Sequence, residues 1–154
     1  MVQNPIKIRK ARQQDAPPLS RIIKETLLKS NAPHYPKRVI SCIIRDYSEK
    51  NLSQKIKKRL VLAAIFKGKP AGTAQLTEDG WVCGMFVHND CQGLGIGSKL
   101  IERLKGAARR RGIPAIRAHV ALNAVDFYKK LGFRAVRKIK MEDAGWVYRM
   151  IARL

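Results

Sequence analysis

Between a strand-like run and an amphipathic helix stands Gln92-Gly93-Leu94-Gly95-Ile96-Gly97-Ser98, and this junction restricts the fold more than any other part of the chain. Three glycines within five positions allow a tight turn and let backbone N–H groups approach a ligand with no Cβ in the way. The following segment, Ser98–Arg111, is expected to be a helix with Gly97, Leu100, Ile101, Leu104, Ala107 and Ala108 on its inner face, ended by Gly112 and Pro114. The first turn of such a helix has unpaired N–H donors and the positive end of the dipole, which together favour an anion by about 1 kcal/mol plus the hydrogen bonds themselves. The expected ligand is a phosphate or pyrophosphate.

The rest of the chain supplies the layers around this junction. Ile6–Arg9 alternates and reads as an opening strand, and Asp15 is expected to cap a helix whose first turn tolerates Pro17 and Pro18. Leu19, Ile22, Ile23, Leu27 and Leu28 form its apolar face. Asn31–Pro36 breaks it, and Pro36 opens a second helix carrying Val39, Ile40, Ile43, Ile44 and Tyr47 on one side. Ser48–Lys58 is polar and reads as a short helix or a loop. Leu60–Phe66, Ala71–Thr77 and Trp81–Val87 are three strands joined by glycine turns, Ala115–Val120 is a fourth, Ala121–Leu131 a helix, and Arg134–Met141 and Trp146–Ile151 closing strands. The order is β-α-α-β-β-β-α-β-α-β-β: one α/β (mixed α+β) domain over residues 1–154, with a central mixed, twisted sheet of six to seven strands and helices on both faces.

Three phosphate-binding templates compete for the loop. A P-loop needs Lys-Ser/Thr closing the glycine segment, whereas Ser98 precedes Lys99 here. A dinucleotide site needs Gly-x-Gly-x-x-Gly early in a βαβ unit with an acid about 20 residues later, and none lies near position 115. Gln92, Gly95 and Gly97 do fit Gln/Arg-x-x-Gly-x-Gly/Ala, which resembles the acetyl-CoA loop of the GCN5-related N-acetyltransferases (GNAT family). Met85-Phe86-Val87-His88-Asn89-Asp90 resembles that family's fourth strand and its exit, with Asn89 in place of the usual proline. Ala124-Val125-Asp126-Phe127-Tyr128-Lys129-Lys130-Leu131-Gly132-Phe133 is similar to the family's A-x-x-F-Y-x-x-x-G-F signature, and the turn Gly68–Gly72 also looks familial. The resemblance spans nearly the whole chain and is strongest from Val82 to Phe133.

The resemblance implies an acetyl-CoA-dependent N-acetyltransferase in which a primary amine attacks the thioester directly within a ternary complex. It implies that the backbone of Met85, Phe86 and Val87 pairs with the pantetheine arm as an added strand would. The amides of Gln92, Gly93, Leu94, Gly95, Ile96, Gly97 and Ser98 would hold the pyrophosphate, and Asn123 and Phe127 would flank the arm or the acyl end. Ala121 stands where the family often has Asn or Ser, so a side-chain bond to the cofactor is absent or shifted to Asn123. Lys99, Arg103, Lys129 and Lys130 could reach the 3′-phosphate, or could equally be ordinary solvated charges. Tyr128 is implied to be the general acid that protonates the departing thiolate: a phenol with a pKa near 10 is protonated at neutral pH, and such an acid accelerates a step by about 10²–10⁴-fold. The Tyr128 side chain also suits packing beneath the sheet, and Phe127 is read as core. No carboxylate lies on Trp81–Val87, so Glu78, Asp79, His88 or an ordered water remain open as the base, and His119 is read as a partly buried strand residue. His34 and Tyr35, between the first two helices, are candidates for acceptor contact and equally for a helix-breaking hinge. No metal is implied. Longer acyl donors are not excluded, and dimerisation is common in the family.

Charge frames these readings. The 154 residues include 32 Lys or Arg against 11 Asp or Glu, for a net charge of +21, yet no Lys or Arg occurs between Pro70 and Ser98. Such an excess suits an RNA- or ribosome-associated protein, with Lys55, Lys57, Lys58 and Arg59 and the triplet Arg109-Arg110-Arg111 as its candidate contacts. Against that alternative, aromatics are only 6% of residues and do not interleave with the basic runs, so stacking platforms are missing. The 45% hydrophobic content argues against disorder, and no apolar run approaches the ~18 residues of a membrane span. No secretory signal is visible at the start. Cys42, Cys83 and Cys91 match neither a disulfide framework nor a zinc pattern, so a reducing, cytoplasmic setting is expected, with Cys83 and Cys91 as small apolar fillers.

Overall fold

The computed structural model describes residues 5–142 and 144–154. Seven strands form one sheet in the order β1-β2-β3-β4-β5-β7-β6: β1 is Lys7–Lys10, β2 Leu60–Phe66, β3 Lys69–Leu76, β4 Trp81–Val87, β5 Ala115–Ala121, β6 Arg134–Met141 and β7 Gly145–Arg153. All neighbours are antiparallel except β4 and β5, which run parallel. The helices are α1 (Ala16–Thr26), α2 (Lys37–Asp46), α3 (Glu49–Lys58), α4 (Ile96–Arg110) and α5 (Val125–Lys130). The mixed sheet and its element order are those expected, with one helix more.

That extra helix is α3, which resolves the ambiguity of Ser48–Lys58. The Ser48 hydroxyl accepts from the Asn51 amide at 3.2 Å, Glu49 occupies the first turn, and Lys55, Lys57 and Lys58 the last, each matched to the local end of the dipole. Only Leu52 on it is buried, so its sequence carries little apolar periodicity.

Two apolar layers cover the sheet. On one face, Leu100, Ile101, Leu104 and Ala108 of α4 meet Leu62, Ala74, Leu76, Val82, Ile116, Ala118 and Met150. On the other, Leu19, Ile22, Ile23 and Leu27 of α1 pack with Ile40, Leu52 and Ala63. Leu28, expected on that face, is 52% exposed. It stands nine residues past Leu19, and at 100° per residue this points it half a turn away from the core.

Asp15 also departs from its expected role. Its carboxylate does not bond the α1 amides; it reaches back to the Arg12 amide at 2.7 Å and pairs with Arg9 through two bonds of 2.6 and 3.0 Å. The carboxylate is buried, which disfavours its charge, but the Arg9 and Arg12 contacts outweigh this and hold its pKa below the usual range. The pair ties β1 to the start of α1.

The segment expected as one helix over 121–131 is divided. β5 runs through Ala121, a 3₁₀ turn occupies Leu122–Ala124, and α5 is only six residues long. Among the described residues no helix is long and apolar enough to cross a membrane.

Candidate active site

β4 and β5 share a ladder at only two positions, Trp81↔Arg117 and Val82↔Ala118. Beyond these the strands part, leaving backbone groups of β4 without a neighbour on that side. A bulge in β4 assists the parting: the register with β3 shifts between Thr73↔Phe86 and Gln75↔Cys83, placing one extra residue in β4. Gly84 lies within it at φ +58°, where a Cβ would stand 2.5 Å from Gln75 Nε2 and 3.0 Å from the Tyr47 hydroxyl. No other residue type fits that corner without displacing Gln75.

The glycine loop opens the same gap. Gly93 (φ +80°) and Gly95 (φ +85°) are left-handed, and Gly95 is the residue from which α4 starts. Nothing lies within 4 Å of the Cβ position of either, so the loop's face is open to a ligand. Gln92, Gly93, Leu94 and Gly95 are exposed and Ser98 is half-buried, while the side chain of Ile96 is buried in the core and leaves only its amide for binding. Gln92 donates from Nε2 to the Val87 carbonyl at 3.3 Å, tying the loop to the end of β4.

Met85, Gly97 and Phe127 converge at the mouth of the gap from three elements. A Cβ on Gly97 would lie 2.8 Å from Phe127 Cζ and 3.0 Å from Met85 Cε. Phe127 is 36% exposed, and it is Tyr128 that is buried, the reverse of the expectation that Phe127 belongs to the core. Tyr128 packs edge-to-face on Phe127 and Phe133, with ring centroids 5.3 and 5.2 Å away. Burial, with a smaller contribution from Cys83, pushes its phenol well above the ordinary tyrosine pKa. Asn123 sits exposed on the 3₁₀ turn rather than on a helix.

The opposite face of β4 carries polar side chains. Arg59 Nη1 lies 3.4 Å from both Gln75 Oε1 and Cys83 Sγ. Gln75 is fully buried, and its Nε2 has no hydrogen-bond partner among the described residues. Burial raises the Cys83 thiol pKa, against the pull of Arg59. Tyr47 stacks edge-to-face on Phe86 at 5.7 Å, and burial raises its pKa too.

Of the base candidates, Glu78 lines a distant cavity, and Asp79 is an exposed turn residue bonded to the Thr77 hydroxyl at 2.6 Å. His88 stands at the exit of β4, with Nε2 3.4 Å from Glu25 and Nδ1 accepting from the Asp90 amide. His119 is exposed, not partly buried, and its ring lies 4.6 Å from that of Trp81.

The α1–α2 connection bends over this region. A π turn (Leu27–Asn31) and a 3₁₀ turn (Ala32–His34) extend α1, and Ser30 Oγ bonds Asn89 Oδ1 at 2.8 Å. His34 is exposed, whereas Tyr35 is half-buried with its ring 3.9 Å from the Cβ position of Gly145 at the start of β7. Of the two candidate acceptor residues, Tyr35 thus meets the closing hairpin.

The two basic runs meet elsewhere. Lys57, Lys58 and Arg59 line a cavity of about 270 Å³ with Lys10 and Arg111, at the end of the sheet away from the glycine loop. Its lining holds no aromatic side chain. Among the described residues no three His, Cys, Asp or Glu side chains are grouped to hold a metal.

The site is thus a mixed sheet parted at its one parallel pair, with a glycine-rich helix entrance at the mouth of the gap. The chain belongs to the GNAT acetyltransferase family: the family described as the acetyltransferase (GNAT) domain matches residues 31–154. Serotonin N-acetyltransferase 2, chloroplastic, of Oryza sativa subsp. japonica is 36% identical over 70 residues, covering 43% of this chain and 35% of that protein. The matched stretch thus spans about a third of that relative. Among solved structures, a GCN5-related N-acetyltransferase from Rhodopseudomonas palustris superposes with a TM-score of 0.88 at 23% identity, covering 100% of this chain and 99% of that one. The PaiA N-acetyltransferase of Thermoplasma acidophilum, solved with coenzyme A, gives 0.84 at 21% identity over 97% and 99% of the chains. Both likenesses are of fold.

Proposed function

We propose that the protein is an acetyl-CoA-dependent N-acetyltransferase that passes the acetyl group directly to a primary amine. The observation that carries the reading is the joining of the parted β4–β5 pair to an open, left-handed glycine loop at the start of α4. The amides from Gln92 to Ser98 face the pyrophosphate, where unpaired donors and the helix dipole act together. Past the bulge, the β4 backbone of Met85–Val87 supplies the hydrogen bonds of an absent neighbouring strand to the pantetheine amides. Gly97 keeps the mouth wide enough for Met85 and Phe127 to flank the arm.

Tyr128 acts as general acid. Its raised pKa keeps the phenol protonated across the working range; its proton passes to sulfur as the amine nitrogen bonds to the acetyl carbon and the C–S bond breaks, and the proton shed by the acylated nitrogen restores the phenol. The acceptor ammonium must first lose its proton. Arg59 beside Cys83 lowers an adjacent ammonium's pKa by like-charge repulsion, which shifts the amine toward its free form without a dedicated carboxylate base.

The RNA-binding alternative is the weaker reading. The basic cavity lies at the C-terminal ends of α3 and α4, where cations stabilise the helices themselves, and no aromatic ring is placed there for base stacking.

Calorimetric titration with acetyl-CoA, followed by CoA release across a panel of amines, tests the proposal. Saturable binding with amine-dependent release is expected. Absence of saturable binding at moderate salt would overturn it.

A further inference from the structure

The half of the sheet that α1–α3 leave uncovered carries basic side chains in strand register. His119 of β5 pairs with Arg149 of β7, and Arg149 pairs in turn with Arg137 of β6. Side chains at paired positions share a face, and this face lies opposite α4, because the alternate residues Ala118 and Met150 are in the α4 core. Two positions along β5, Arg117 is on the same face, opposite Trp81 of β4. The Trp81 ring is approached by the guanidinium carbons of Arg117 at 5.0 Å and Arg149 at 5.2 Å. Arg117 donates from Nη2 to the Asp79 carbonyl at 3.1 Å, which anchors it.

Among the described residues, Arg137 and Arg149 form no ion pair with a carboxylate, and Arg117 acts only on the exposed Asp79 carboxylate from beyond ion-pair distance. Like charges directly opposite on antiparallel strands oppose folding, and Arg137↔Arg149 is such a pair. Two guanidinium groups against one indole add to the repulsion. An anion between them removes the conflict, and guanidinium forks match a carboxylate in particular. His119 is the first β5 residue beyond the last pair with β4, Val82↔Ala118, so the patch reaches the parting where the proposed transfer places the acceptor amine.

We propose that the acceptor is an amine that also carries a carboxylate, which Arg149 and Arg117 bind on the open face of β5 and β7. This rests on the acetyl-transfer reading above. With strands about 4.8 Å apart, a nitrogen at the β4–β5 gap and a carboxylate at Arg149 are separated by about 5–10 Å. An α-amino acid is too short for both contacts. A chain of several bonds fits, as in an ω-amino acid or a peptide whose acidic side chain follows the N-terminal residue.

The test compares matched acceptors at saturating acetyl-CoA: the peptide amides Ala-Glu-Ala, Ala-Gln-Ala and Ala-Lys-Ala, and 6-aminohexanoate against hexylamine. The acidic member of each set is expected to have a kcat/KM at least about tenfold above its neutral partner, mostly through KM, with the gap narrowing as salt rises. Arg149→Gln should abolish most of that preference, and Arg149→Lys should restore part of it. Preference confined to the peptides assigns a polypeptide acceptor, and preference confined to 6-aminohexanoate a small one; either supports the proposal. Equal kcat/KM for acidic and neutral acceptors, or an equal loss on all acceptors in Arg149→Gln, overturns it. A readout independent of turnover is Trp81 fluorescence in a Trp146→Phe background, titrated with N-acetylated Ala-Glu-Ala amide. A saturable change there with no acetyl-CoA binding would sink the acetyl-transfer reading alone, and no change with intact acetyl-CoA binding would sink this one alone.

Discussion

Gly97 lies beneath the ring of Phe127 so closely that a Cβ at this position would stand 2.8 Å from the ring's Cζ. Met85 Cε closes the other side at 3.0 Å. Both atoms are the far ends of side chains at the mouth of the parted strands, so they can move, and the direction left to them is into the gap. Gly97→Ala is therefore expected to leave the melting temperature nearly unchanged while raising the Kd for acetyl-CoA by about tenfold, since even 1 Å of misplacement at a site is costly. Paired thermal melts and calorimetric titrations check this, and an unchanged Kd would remove Gly97 from the proposed cofactor path.

Gly95 tests the loop through a different physical property. Its surroundings are open, but its φ of +85° penalises any residue with a Cβ, by about 1–2 kcal/mol. Gly95→Ala should lower stability by about that much and also weaken acetyl-CoA, because the added methyl projects where the pyrophosphate approaches the amides. The same change at Gly112, also left-handed and open but at the far end of α4, should reproduce the stability loss without the binding loss. If both variants bind acetyl-CoA equally well, the loop amides are not the phosphate site.

What could be read from the sequence divides along local and non-local lines. The α4 face was legible because Leu100, Ile101, Leu104 and Ala108 repeat at helical spacing, and β4 because an apolar run lies between a glycine turn and the glycine loop. The capped but nearly all-polar α3 was ambiguous, since one buried leucine gives no period. Between neighbours such as Phe127 and Tyr128 the sequence does not say which is buried; packing between Gly97 and Phe133 decides it. The meeting of Trp81, Arg117 and Arg149 was not legible at all. It depends on strand order and register across positions 81, 117 and 149, and no local pattern marks them.

The Arg9–Asp15 pair predicts how stability responds to acid. The Asp15 pKa is lowered on folding, so its contribution is complete above the unfolded carboxylate pKa near 3.9 and is lost as pH falls through the lower folded value. Asp15→Asn should cost about 2–3 kcal/mol at pH 7, because Arg9 and the Arg12 amide lose a charged acceptor. The difference between variant and parent should shrink steadily as pH falls below about 4. Urea melts at pH 7 and pH 3 measure both, and an equal difference at the two pH values would show that the pair contributes nothing through its charge.

Tyr128 separates catalysis from binding. Its hydroxyl is the only part that Tyr128→Phe removes, and the ring contacts with Phe127 and Phe133 persist. If the phenol protonates the departing thiolate, kcat should fall about 10²–10⁴-fold while the Kd for acetyl-CoA stays within about twofold. The pH profile carries the second half of the test. An acid must be protonated to act, and an ordinary tyrosine would lose its proton near pH 10 and bring the rate down there. Burial raises the Tyr128 pKa, so the alkaline decline moves above pH 10, and the rate should instead climb toward a plateau as the acceptor ammonium deprotonates. A falling limb below pH 10 in the parent enzyme, absent from Tyr128→Phe, would place the phenol in solvent-like surroundings. Equal losses in kcat and in acetyl-CoA affinity would assign Tyr128 to packing instead of proton transfer.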